Sequence, residues 1–246
     1  MTASASNTAS SESLDYIGDE LELFKHATNW KSYFASKLKP SIGGDVAEVG
    51  AGLGGTTATL CSGDEPSWLC LEPDSSLADQ ISKKVDDGQL PGNVSVRAAT
   101  LAATEPGPRF DTILYVDVLE HIEADAAEVA LAVDRLKPGG KLVVLSPAHQ
   151  ALFSPFDARI GHFRRYSKSS LSALTPPTAT LDRLFYLDSI GLLASAANKV
   201  LLNQAEPKLS QIQVWDKAMV PVSRVVDPLI FGSLGKTVVA VWTKPN

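Results

Sequence analysis

Cysteine is scarce in this chain: Cys61 and Cys70 are its two examples among 246 residues, and both lie in apolar stretches that read as core. A disulfide framework or a cysteine-based zinc site is therefore not expected, and a reducing, cytoplasmic setting is the default. Long hydrophobic runs are also missing. The longest purely apolar stretches, such as 142–145 and 238–242, fall far short of the roughly 20 residues that a membrane-spanning helix needs. No positive residue precedes Lys25 and no apolar stretch opens the chain, so neither a secretory nor a mitochondrial leader is expected. Positive charge is in deficit overall, with 22 Lys and Arg against 28 Asp and Glu. The resulting net charge of -6 argues against a nucleic-acid partner, which would need a basic surface. What remains is 44% hydrophobic and 20% charged, which excludes fibrous, collagenous and wholly disordered chains. The length suits one large domain, or one domain with a lid.

Residues 1–13 are almost all Ala, Ser and Thr and read as a disordered tail. Residues 14–40 read as cap helices: Ile17, Leu21 and Phe24 recur at helical spacing, and Trp30, Tyr33 and Phe34 continue a second stretch that Pro40 closes. From Asp45 the period changes. Strands are expected at 45–49, 68–71, 94–97, 111–116 and 141–146. Leu77, Ile81 and Val85 mark one intervening helix, and Val129, Val133 and Leu136 mark another, ended by Lys137-Pro138-Gly139-Gly140. Such alternation predicts an α/β, doubly wound, mostly parallel sheet. Later come a strand at 181–187, helical stretches within 188–232, and a Val-rich strand at 236–243 that suits an antiparallel position. The main domain is thus placed at 41–246, with 188–232 as a helical lid or insertion.

Glu48-Val49-Gly50-Ala51-Gly52-Leu53-Gly54-Gly55 follows the first strand and precedes a helix. Glycines at this place let a ligand approach the backbone at a helix start. Gly50, Gly52 and Gly55 also satisfy the dinucleotide fingerprint, with Glu72 about twenty residues on, so the loop alone does not choose its cofactor. A carboxylate at Glu48, expected to face the cavity, would repel a pyrophosphate and attract an ammonium group. That favours S-adenosylmethionine over NAD. Glu72, ending the second strand with Pro73 beside it, is placed to take both ribose hydroxyls.

Taken in order, EVGAGLGG, LEPD, FDTILYVDVLEHI and LKPGGKLVVLSPAH resemble the motifs of class I S-adenosylmethionine-dependent methyltransferases. The resemblance spans roughly residues 45–170, and SPFDARIGHFRRYSKSSL looks like a bacterial small-molecule subgroup. It implies a Rossmann-like seven-stranded sheet whose antiparallel last strand lies next to the fifth. It also implies that helices before the first strand close over the ligands, with Tyr16, Trp30 and Tyr33 contributing. Carried onto this chain, Glu48, Gly50, Ala51 and Gly52 would line the methionine end, with Asp117 and Val118 beside it. Glu72 and Pro73 would line the ribose, and Thr100 and Leu101 the adenine edge. Many relatives place an Asp near position 100, where this chain has Ala99-Thr100-Leu101.

Asp117, Glu120 and His121 have a D-x-x-E-H spacing that puts two acids and an imidazole on one helical face, as in related metal-dependent O-methyltransferases. The family's metal-free members make capping and packing the expected role of Glu120 and His121, so no metal is expected. Arg159, His162, Arg164, Arg165 and Lys168 form the one dense basic cluster, with Phe163 and Tyr166 interleaved. A paired arginine suits a small anionic acceptor, so Arg164, Arg165 and Tyr166 are candidate acceptor contacts. The alternatives are phosphate contacts to nucleic acid, which the acidity disfavours, and surface pairing with Asp157 or the acidic stretch 120–128. An oxygen acceptor must lose a proton, for which His149 and His162 are candidate bases and Asp157 a candidate orienting group. No Asn-Pro-Pro-Tyr type motif follows the fourth strand, where Tyr115-Val116-Asp117-Val118 stands. Methyl transfer to a small molecule, with oxygen favoured over nitrogen, is therefore the leading expectation. A nicotinamide-dependent oxidoreductase and a non-catalytic cofactor- or partner-binding protein are the alternatives. Leu192, Leu193, Val200, Leu201, Val214, Trp215 and Met219 fit an acceptor lid, a homodimer face or a membrane-surface patch equally well.

Overall fold

Short β-branched runs from Asp45 onward form strands, and the amphipathic stretches between them form helices, as the change of period predicts. A computed structural model describes residues 24–197 and 209–246. The strands are β1 (Asp45–Val49), β2 (Ser67–Leu71), β3 (Val94–Arg97), β4 (Phe110–Val116), β5 (Leu136–Pro147), β6 (Thr180–Leu187) and β7 (Thr237–Thr243). They make one seven-stranded sheet in the order β3-β2-β1-β4-β5-β7-β6. Pairs among β1 to β5 are parallel, whereas β7 runs antiparallel between β5 and β6. The expected doubly wound sheet with its inserted antiparallel strand is what the chain forms. The helices are α1 (Thr28–Leu38), α2 (Gly55–Leu60), α3 (Ser75–Asp86), α4 (Asp125–Arg135), α5 (Pro155–Arg159), α6 (Lys168–Ser172), α7 (Ser189–Ala197), α8 (Leu209–Val214) and α9 (Val220–Leu229). A π-helical turn, Trp215–Met219, joins α8 to α9.

Alternation along the strands divides the core into two layers. Val46 belongs to the layer containing Trp30, Tyr33, Phe34 and Leu38 of α1, and Ala47 and Val49 to the layer containing Val129, Ala132 and Val133 of α4. Each fully buried large apolar side chain, such as Leu38, contributes about 1.5–3 kcal/mol relative to exposure. One boundary differs from the expectation. Lys137-Pro138-Gly139-Gly140 is part of β5 rather than a helix terminator, because Leu136 already pairs with Phe110 across a register shift.

The cap helix and the 188–232 segment are bound to each other by buried carboxylates. Trp30 N–H donates to Asp216 Oδ1 at 2.8 Å, and Asn29 N–H to Asp216 Oδ2 at 3.2 Å. Tyr33 Oη donates to Asp227 Oδ2 at 2.8 Å, while the same carboxylate accepts from the N–H groups of Asp188 and Ser189. Removing either carboxylate would leave several donors buried without partners, at about 1–3 kcal/mol each. These bonds bring Trp30 and Trp215 together, with ring centroids 5.7 Å apart. Of the mixed apolar set, Trp215 is buried and Met219 packs on the core, whereas Leu193 and Val214 are exposed. The expected tail at 1–13, Tyr16, Ile17, Leu21, Val200 and Leu201 lie outside the described residues.

Candidate active site

A cavity of about 1200 Å³ opens at the carboxyl ends of β1, β2, β4 and β5, the edge at which open α/β sheets hold ligands. Its first wall is the glycine loop. Gly50 has φ +68°, and a Cβ there would lie 2.6 Å from Val118 Cγ2, so only glycine lets the loop turn against that side chain. Gly50 N–H donates to Leu71 O at 2.7 Å, tying the loop to the end of β2. Gly52 N–H donates to Glu72 Oε2 at 2.8 Å, and Asp74 N–H to Glu72 Oε1 at 3.0 Å. Burial raises the Glu72 pKa, and these backbone bonds pull it back. Each oxygen retains a lone pair, so the carboxylate braces the loop and can still accept from a ligand. Ala51, Pro73, Thr100, Asp117 and Val118 border the same cavity, and so does Trp30 from α1.

Two of the expected cofactor contacts lie elsewhere. Glu48 does not border the cavity; strand alternation turns it with Val46 toward the α1 layer, while Val49 takes the cavity side. There its Oε2 accepts from Thr57 Oγ1 at 2.8 Å and from Trp68 Nε1 at 2.9 Å, and Oε1 has no hydrogen-bond partner. Desolvation pushes its pKa up to about 7. Leu101 points into the core at 0% exposure, leaving Thr100 and Ala102 at the cavity edge.

The opposite wall comes from β4 and from the segment after β5. Ser154 and Asp157 form a capping box that starts α5, which places Asp157 among basic groups. Its Oδ1 lies 3.0 Å from His162 Nδ1, and Arg165 donates from Nε to Oδ1 at 2.9 Å and from Nη2 to Oδ2 at 3.0 Å. Burial would raise the Asp157 pKa, but His162, Arg165 and Ser154 hold it well below the usual carboxylate range. The structure thus joins Asp157, His162 and Arg165, and all three border the cavity.

His149, Arg164 and Tyr166 do not reach it. His149 Nε2 lies 2.9 Å from Gly235 O, and its ring stacks on Tyr186 with centroids 4.9 Å apart. Arg164 pairs with Asp125 at 2.6 Å and donates to Glu123 O. Tyr166 is buried and donates to Asp125 Oδ2 at 2.8 Å. The role of base at His149, and of acceptor contacts at Arg164 and Tyr166, is therefore withdrawn. Surface pairing is the reading that fits Arg164.

Asp117 follows β4 with φ +55°, a strained conformation for a residue with a side chain. Desolvation pushes its pKa up to about 6, opposed by the charges of His162 and Lys236. Glu120 is fully buried and neither of its oxygens makes a hydrogen bond, contrary to the capping role expected of it. Burial and the Asp117 charge raise its pKa well above the ordinary value. Desolvation lowers the His121 pKa to about 4, so that imidazole is neutral at pH 7. Glu120, His121 and His162 each place one ligand atom within 4.8 Å of the others, an N and O set able to hold a divalent cation. His162 comes from a different segment, after β5, so spacing within the motif gives no sign of it. Trp215, from the set that fits an acceptor lid, also borders the cavity, and so do Lys236 and Thr237, which no motif in the sequence marks. The Val-rich last strand was the available signal, because an antiparallel β7 must begin where β5 ends.

Residues 47–142 match the family model described as a methyltransferase domain. The chain is 28% identical over 149 residues to the ubiquinone/menaquinone biosynthesis C-methyltransferase UbiE of Shewanella halifaxensis, covering 58% of this chain and 59% of that protein. It therefore spans little more than half the length of that curated relative. Among solved structures, geranyl diphosphate methyltransferase in complex with SAM superposes with a TM-score of 0.62 at 12% identity, over 95% of this chain and 92% of that one. The N-methyltransferase NodS from Bradyrhizobium japonicum superposes with a TM-score of 0.55 at 16% identity, over 94% and 100%. The domain match thus runs from β1 into β5, with the glycine loop and Glu72, and the sheet has the fold of these methyltransferase structures. No helix among the described residues is long and apolar enough to cross a membrane.

Proposed function

We propose that this protein transfers the methyl group of S-adenosylmethionine to an oxygen of a small acceptor in the cytoplasm, with His162 as the base. The observation that carries the reading is the Asp157–His162 pair on the wall of the cavity that also contains the glycine loop and Glu72. At about 1200 Å³ the cavity exceeds the roughly 300–1000 Å³ usual for one small ligand, which suits a cofactor and an acceptor side by side. The cradle fits the adenosyl cofactor: a glycine-rich loop whose backbone a ligand can approach, a part-satisfied carboxylate at Glu72, and the apolar surfaces of Val49 and Leu77. When bound, it supplies a methyl group on a positively charged sulfur, open to in-line attack.

The chain's residues have three tasks in such a step. Glu72 and the Gly50–Gly52 backbone orient the cofactor, and Trp30, Phe34, Phe156 and Trp215 exclude water. The ionised Asp157 fixes the His162 ring by accepting from Nδ1, which leaves Nε2 to take the acceptor's proton. Arg165 keeps Asp157 ionised. No metal is used in this reading: burial raises the Glu120 pKa well above the ordinary value, which favours the neutral carboxyl over a charged ligand.

His162→Ala should lower turnover by about a hundredfold while the dissociation constant for S-adenosylhomocysteine stays within a few fold. His149→Ala, the contrast, should leave both unchanged. A His162→Ala enzyme that works at the parent rate would remove the base from the proposal.

A further inference from the structure

An anionic acceptor would need a cation at the cavity wall, and both arginines expected to supply it are already bound to carboxylates. Lys236 is differently placed. It immediately precedes β7, whose first residue, Thr237, pairs with Pro147 at the carboxyl end of β5. Its backbone is clamped on both sides: the N–H donates to Asp188 O at 3.0 Å, and the carbonyl accepts from Ala148 N–H at 2.8 Å. The side chain borders the cavity with Asp117, His162 and Thr237, and Nζ lies 4.4 Å from the centroid of the Trp215 ring. Among the described residues that ring is its recorded contact, and no hydrogen bond or ion pair reaches the ammonium.

Of the carboxylates whose charge acts on it, Asp188 and Asp157 are occupied by other donors, and Asp117 lies on the same cavity wall with no hydrogen bond or ion pair to it. Asp188 Oδ1 accepts from Gly191 N–H and Ser223 Oγ, and its Oδ2 from Trp215 Nε1 at 2.7 Å. Asp157 is taken up by Arg165, His162 and Ser154. Desolvation lowers the Lys236 pKa, with Asp188 restoring part of it, so an anion placed at Nζ would favour the charged form that burial opposes. The Trp215 ring it faces packs edge-on against Phe24 and tilted against Trp30, and Phe34, Phe156 and Ile160 also line the cavity. An ammonium without a hydrogen-bond or ion-pair partner, set against aromatic rings, matches a ligand with an apolar body and one negative charge.

We propose that Lys236 holds a carboxylate of the methyl acceptor, against the face of Trp215, and so selects apolar carboxylic acids over their neutral counterparts. This rests on the methyl-transfer reading, because it assigns the part of the cavity beyond the glycine loop and Glu72 to the acceptor. The cofactor has a carboxylate too, and the test separates the two.

The full chain, saturated with S-adenosylhomocysteine, would be titrated calorimetrically at neutral pH with 4-phenylbutanoate and decanoate, each against its primary amide. The parent should bind each acid at least about tenfold more tightly than its amide. Lys236→Met should bring the two within about twofold, Lys236→Arg should keep the preference, and exposed Lys83→Met should behave as the parent. Affinity for S-adenosylhomocysteine should stay within about threefold in every variant. Thermal melting checks folding, with Lys236→Gln as the substitute if the Met variant melts early. A parent without acid preference, or a preference that survives in Lys236→Met, overturns the proposal. So does a tenfold loss of S-adenosylhomocysteine affinity in that variant, which would give Lys236 to the cofactor. A parent that fails to bind S-adenosylhomocysteine instead refutes the methyl-transfer reading, and the acid and amide titrations without it still decide on Lys236.

Discussion

Glu48→Gln should make the protein more stable at alkaline pH, and the size of the effect follows from where the carboxylate sits. Glu48 is 2% exposed, with Oε2 holding Thr57 and Trp68 and Oε1 holding nothing. Its pKa is about 7 in the folded chain, against 4.5 for a free glutamate. A raised acid pKa means that the native state binds the proton more tightly than the unfolded chain. Stability from this group is therefore greatest below pH 4.5, falls as pH rises toward 7, and is level above that. Linkage gives a loss of about 0.8 kcal/mol by about pH 5 and about 3 kcal/mol by about pH 8. Glutamine keeps the shape and cannot ionise. Its amide NH₂ would replace the unpartnered oxygen and cost about 1 kcal/mol at every pH, so the change with pH, rather than the offset, carries the test. Urea unfolding followed by circular dichroism should show the variant gaining about 2–3 kcal/mol on the parent between about pH 5 and about pH 8. With a slope of about 3 kcal/mol/M, that is a relative midpoint shift of about 0.8 M. Midpoints of parent and variant that move in parallel across this range would refute a buried, proton-binding Glu48.

Glu72→Ala should weaken S-adenosylhomocysteine binding by about 1–3 kcal/mol in calorimetry, since it removes charge-assisted bonds to the ligand and the brace on Gly52 N–H. Unchanged affinity would take Glu72 out of the site. NAD and NADP should not compete for the same cavity, because the domain that carries the loop and Glu72 matches methyltransferases; tight NAD binding would restore the oxidoreductase alternative. Turnover should survive exhaustive chelation, and loss of activity with EDTA that zinc or magnesium restores would make Glu120, His121 and His162 a metal site.

The local sequence determined the elements and their order. Short β-branched runs marked 45–49 and 94–97, and these are β1 and β3 to the residue, because a period of two is written into each strand without reference to any other. The glycine loop and Glu72 were legible for a similar reason: a tight strand-to-helix turn and a strand-end carboxylate are local features. Alternation also showed that Glu48 shares a face with Val46, but not which face of the sheet the cavity would border. That depends on α1 and α2 covering one side, and it turned Glu48 away from the ligand toward Trp68.

Partners distant in the chain were decided by tertiary structure alone. Asp157 could have paired with Arg159, Arg164 or Arg165; the capping box and the turn at Gly161 give it to Arg165 and His162, and Arg164 goes to Asp125. His149 and His162 are equal candidates as a list of titratable residues. Packing against Tyr186 removes one and leaves the other at the cavity. Lys236 gave no local signal, since one lysine before a strand is ordinary. Its position at the carboxyl end of β5 exists because β7 inserts antiparallel beside that strand, a pairing settled by burial of whole faces rather than by any residue near the lysine.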